Sequence, residues 1–100
     1  MGSNMRCPAR WMCPLSERIL EILENEGASI PSFISDTLQM NASCRRVREQ
    51  CRMLADAELL EPMTDDWEML ELTEEGMRYL DGDLDARHQP TPNPRGRLRS

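Results

Sequence analysis

The sequence predicts a small, mainly helical α+β domain. Three observations lead there: several stretches with apolar residues at three- and four-residue intervals, one pair of short segments around an acidic turn, and the order in which these follow one another. One hundred residues suffice for a single domain with a modest core.

The first helix is LSERILEILENEG, residues 15–27, where Leu15, Ile19, Ile22 and Leu23 form one apolar stripe. Pro14 or Ser16 can start it, and Gly27 stops it. A short second helix follows in SIPSFISDTL, with Ser29 as cap, Pro31 in the first turn, and Ile30, Ile34 and Leu38 pointing one way. QMNA, residues 39–42, breaks the chain. The third helix has Ser43 as N-cap and runs to about Ala57, with Cys44, Val47, Cys51, Leu54 and Ala55 on its inward side. Next, LLEPM (59–63) and EMLEL (68–72) flank TDDW as a hairpin, in which Pro62 marks an edge. Thr73 caps a last helix, whose stripe is Met77, Leu80 and Leu84 and which Gly76 weakens. Helix, helix, turn, helix, hairpin, helix is the order of a winged helix-turn-helix: three helices, a two-stranded β-hairpin wing and a C-terminal helix.

Charge is distributed unevenly over three segments. Residues 1–14 form an arm with Arg6 and Arg10 and no acid, in which MGSN reads as a remnant ahead of a start at Met5. Residues 15–85, the folded domain, hold all 18 acids and six arginines, a net −12. Residues 86–100 are rich in proline and arginine and read as a disordered basic tail. The whole chain is at −6 and contains no lysine, which fits adaptation to high internal salt; a GC-rich genome would leave the same bias. No apolar run reaches the roughly 18 residues of a membrane span and there is no signal-peptide core, so a cytoplasmic protein with reduced thiols is expected, without membrane contact.

Against this acidic background, SCRRVREQCR (43–52) concentrates Arg45, Arg46, Arg48 and Arg52 on the outward side of the third helix. Arginine can fork onto guanine O6 and N7 or onto phosphate oxygens. Arg45, Arg46 and Glu49, near the helix start, suit base edges; Arg48 and Arg52 suit flanking phosphates; Ser43 and the first free N–H groups suit another phosphate. Glu49 can accept from cytosine N4 or simply orient a neighbouring arginine. The plainer alternative is a solvated face, with Arg48 and Arg52 paired to Glu49, Asp56 and Glu58. Trp67 in the acidic wing can stack, insert at a groove edge, or pack across its own hairpin, the reading preferred here.

No catalysis and no cofactor are expected. The single histidine, His88, falls in the tail, and there is no phosphate-binding glycine loop. Cys7 and Cys13 have five residues between them, and Cys44 and Cys51 stand two helical turns, about 10 Å, apart, too far for a disulfide. Small buried apolar thiols are therefore preferred to a zinc site, and redox sensing by Cys7 or Cys13, both near arginines, is a lesser alternative. Trp11 and Met12, like the last helix, can pack on the domain or on a second subunit, and a homodimer is expected because major-groove readers commonly recognise two half-sites.

RWM (10–12) ahead of SERILEIL (16–23), PSFIS (31–35), RVREQCRMLADAELLEP (46–62) and ELTEEGMRYL (71–80) together resemble the small haloarchaeal winged-helix proteins related to the phage phi-H repressor. The resemblance implies a transcriptional regulator, a repressor, that binds double-stranded operator DNA as a dimer. By position it makes 43–57 the recognition helix, with Arg45, Arg46, Arg48, Glu49 and Arg52 as contacts, and 60–72 the wing. Two features depart from that pattern. The wing tip has no basic residue, and QMNAS has no glycine, so Asn41 is expected to supply any left-handed backbone. The competing class is a winged-helix protein–protein docking module, since −12 on the folded block suits a basic partner. The sequence implies no small-molecule ligand.

Overall fold

The structure, a computed structural model, describes residues 6–38 and 40–92. The elements run α1 (Pro14–Glu26), α2 (Pro31–Thr37), α3 (Cys44–Asp56), β1 (Leu60–Pro62), β2 (Leu70–Leu72) and α4 (Glu74–Leu80), followed by a 3-10 turn, Ala86–His88. This is the α+β winged-helix arrangement that the sequence predicts.

The core lies between α1, α3 and the hairpin. Leu15, Ile19, Leu20, Ile22 and Leu23 of α1 meet Ile34 of α2, Val47, Cys51 and Leu54 of α3, and Leu59, Leu60 and Leu70. α1 begins at Pro14, with the Cys13 N–H donating to Ser16 Oγ at 3.2 Å. It ends at Gly27, whose φ of 84° and ψ of −164° suit glycine alone.

Ser29 does not cap α2. It is buried and pairs antiparallel with Leu70, through Ser29 N–H to Leu70 O at 2.8 Å and Leu70 N–H to Ser29 O at 2.9 Å. Ile30 takes the cap position instead. Periodicity misses this because a one-residue strand has no period. In the hairpin the pairs are Leu60 with Leu72, Glu61 with Glu71 and Pro62 with Leu70.

α3 is closed by backbone hydrogen bonds from Leu59 N–H to Leu54 O and from Glu58 N–H to Ala55 O, both 2.9 Å. Glu58 takes the left-handed position of this cap, φ 66°, where glycine is usual. Asn41 is not left-handed: among the described residues, positive φ outside glycine occurs at Glu58 and Trp67 alone. The turn into α3 is tied back to α2 by Ser35 Oγ donating to Ala42 O at 3.2 Å.

The inward face of α4 differs from the expected stripe. Tyr79 and Leu80 are buried while Met77 is 47% exposed. Gly76 faces inward, and a Cβ there would stand 2.1 Å from Leu59 O and 2.7 Å from Leu72 Cδ1. The Tyr79 hydroxyl donates to Glu17, which also takes Arg6 Nη1 at 3.0 Å; Arg6 continues to Glu21 at 2.8 Å and, through Nε, to Leu80 O at 3.2 Å. Cys7 forms a parallel bridge to Asp85. The N-terminal segment is thus fastened to α1 and α4 from Arg6 onward, and Trp11 and Met12 pack against the core.

The tail expected from residue 86 does not start there. Ala86 is buried, its N–H bonds to Cys7 O at 2.9 Å, and His88 belongs to the 3-10 turn. Gln89 Nε2 reaches Ala57 O at 3.1 Å. Residues 93–100, with most of the tail's arginines, and MGSN lie outside the described residues. No helix among the described residues is long and apolar enough to cross a membrane.

Candidate nucleic-acid interface

α3 owes its orientation to its inward side. Val47, Cys51 and Leu54 are fully packed, and so is Gln50, which periodicity does not place there. Gln50 Oε1 accepts from Ser16 Oγ at 2.6 Å, and its amide nitrogen contacts Met53 Sδ at 3.7 Å, so a buried polar pair pins α3 against α1. Burial pushes the Cys51 thiol up to about 12. Cys44, expected inside, is partly exposed, and among the described residues no group of three or more His, Cys, Asp or Glu converges as a metal site.

All six candidate residues are exposed along α3 and its cap, Arg45, Glu49 and Arg52 opposite the core and Arg46 and Arg48 on its flanks. Ser43 caps the helix, its Oγ accepting from Arg46 N–H at 3.1 Å. Arg45 is 89% and Glu49 63% exposed at the side chain, and they pair across one turn at 3.8 Å. Arg46 lies toward the N-terminal segment. Burial pushes the Cys13 thiol up, but hydrogen bonds with Ser16 and the Leu15 backbone, together with the Arg46 charge, bring it below its ordinary value.

Arg48 and Arg52 face the wing, and the wing holds both. Arg48 Nη1 and Nη2 reach Glu68 Oε2, each at 3.4 Å. Hydrogen bonding to the Cys44 thiol, reinforced by the Glu68 carboxylate, raises the Arg48 pKa. The Arg52 guanidinium sits over the Trp67 ring, 4.5 Å from its centroid, a cation–π contact. Trp67 thus lays its ring against Arg52 of α3, a partner the hairpin reading does not name, and also packs against the core. Of the carboxylates expected to pair these arginines from within the helix, Glu49 meets Arg45 instead, and Arg48 is met by a wing residue twenty positions away.

The wing turn is built for this. Thr64 Oγ1 donates to Asp66 at 2.6 Å, and Glu68 N–H donates to both Thr64 Oγ1 and Asp66 Oδ1 at 3.1 Å. Trp67 between them is left-handed, φ 61°, an uncommon conformation for a bulky residue. The sequence signal was an aromatic and an acid side by side in the hairpin, opposite arginines four apart on the helix; which element faced them was not readable.

Chemically, the face divides in two. Ser43, Arg45, Arg46 and Glu49 present forked donors and one acceptor to solvent at the helix start. Arg48 and Arg52 form a charged ridge backed by the wing.

Scanned against family models the sequence matches none, and no curated protein matches it. Among solved structures the chain is similar to the PhiH1 repressor-like protein from Haloarcula marismortui, with 34% identity, a TM-score of 0.79, and coverage of 87% of this chain and 97% of that one. Identity at that level over most of this chain and nearly the whole of that one is not a likeness of fold alone: the chain belongs to the PhiH1 repressor-like family of winged-helix proteins.

Proposed function

We propose that the protein is a cytoplasmic, sequence-specific DNA-binding transcriptional regulator, a repressor, that reads double-stranded DNA as a homodimer. One observation carries this reading: four arginines on the outward side of a capped helix, locked to the core by Ser16–Gln50, in a folded block otherwise strongly acidic. In the major groove Arg45, Arg46 and Glu49 take base edges. Ser43 and the free N–H groups of the first turn take a phosphate, and Arg48 and Arg52 take phosphates at the groove wall. Membership of a family whose solved structure is called repressor-like supports the same reading.

The test is fluorescence anisotropy with duplexes from the region upstream of its own reading frame, against scrambled duplexes, from about 0.2 to 3 M KCl. Preference for a particular upstream duplex is expected. Arg45→Ala should cost about 1–3 kcal/mol and relax specificity at the bases it reads. A folded protein that binds no duplex at any salt would refute the reading and favour docking of a basic protein partner on the acidic surface. Light scattering of the free protein and of the complex tests the dimer.

A further inference from the structure

The wing grips the arginine ridge with two consecutive residues. Trp67 lies under Arg52 and Glu68 meets Arg48, one helical turn apart on α3. This costs a left-handed backbone at a tryptophan, and the Thr64–Asp66 turn over-determines it. The grip is nonetheless shallow: the Arg48 and Glu68 side chains are 44% and 51% exposed, so a competing anion can exchange with the carboxylate. Asp65, Asp66 and Glu68 crowd the wing with no basic residue among 60–72, so any phosphate that approaches Arg48 meets negative charge.

We infer that the wing is an internal phosphate mimic: Glu68 occupies on Arg48 the place that a DNA phosphate takes in the complex, and Trp67 keeps Arg52 aligned beside it. The inference rests on the DNA-binding reading. It assigns Glu68 a role opposite to that of a basic wing, which would add a backbone contact. When DNA binds, Arg48 exchanges one anion for another, and the released carboxylate gathers a cation from solution. Arg48 therefore contributes little to net ion release. Affinity falls less steeply with salt than the number of arginine–phosphate contacts implies. The competition weakens every DNA equally, so discrimination is left to the base contacts at the helix start.

Glu68→Gln removes the competing charge and keeps the side-chain shape. Binding of the labelled upstream duplex and of a scrambled duplex is measured across KCl for wild type, Glu68→Gln, Arg48→Ala and the double variant. Glu24→Gln, an exposed acid on α1, controls for net charge. Glu68→Gln should tighten both duplexes by about two- to five-fold and steepen the log–log salt slope by about 0.9. Neither change should appear when it is added to Arg48→Ala. Wild-type binding with Glu68→Gln unchanged, weaker, or no different from Glu24→Gln overturns the inference and leaves the DNA reading standing. Absence of binding by wild type and every variant overturns both.

Discussion

Gly76 sets helix propensity against packing. In an exposed helix, alanine there would add stability, about 1 kcal/mol over glycine. In this fold α4 is pressed so close to the end of α3 that a Cβ would meet a backbone carbonyl, Leu59 O, at 2.1 Å. Gly76→Ala is therefore expected to destabilise by about 3 kcal/mol, the upper end of overpacking costs, as read by urea denaturation. The buried Ser16–Gln50 pair makes a second residue-scale prediction. Ser16→Ala leaves the Gln50 carbonyl buried without its donor and should cost about 1–3 kcal/mol, whereas Ser16→Ala with Gln50→Leu should recover most of that. Equal losses in the single and double variants would show that the pair is not what holds the two helices. Neither residue was legible as special in the sequence. A glycine in a helix reads as a weakness until its neighbour is known, and a glutamine at an inward position reads as an exception until its partner is known.

At the scale of elements, the ends matter more than the middles. Ser43 and Thr73 were legible as caps and act as such, Thr73 Oγ1 accepting from Gly76 N–H at 2.9 Å. The C-terminus of α3 was less legible, because a glutamate occupies the left-handed position. Glu58→Gly should relieve that conformation and raise stability by about 0.5–1 kcal/mol, net of the extra unfolded-state entropy, as measured by calorimetry. The wing turn carries a pH dependence. Hydrogen bonding from Thr64, then the Glu68 backbone N–H, holds the Asp66 carboxyl below its usual value. With the folded value depressed, the contribution is complete above about pH 4 and is lost as pH falls through the folded value. The protection factor of the Glu68 amide, its exchange rate corrected for the intrinsic pH dependence, should fall in that acid range, and Asp66→Asn should remove this loss.

For the whole molecule, the N-terminal segment is the surprise. Arg6 ties Glu17, Glu21 and the α4 carbonyl of Leu80 together, and Cys7 and Asp85 bring the two ends of the described chain side by side. Burial pushes the Glu21 carboxyl up, but hydrogen bonds from Arg6 and Arg18 win and hold it below its ordinary value. Its share of stability is thus present near neutral pH and lost as pH falls below about 4. Arg6→Ala should lower thermal stability at neutral pH and flatten this acid dependence. By itself, the sequence determined the α+β winged-helix class, four helices, both hairpin strands, the Ser43 cap and the arginine face of α3. Periodicity, caps and turns are local, and local physics writes them residue by residue. Only the tertiary structure decided that Ser29 joins the sheet, that Gly76 and Tyr79 face inward, that residues 86–92 fold back, and that Trp67 and Glu68 hold Arg52 and Arg48. Each of these depends on which distant surface arrives opposite a residue, and partners across two elements share no spacing along the chain.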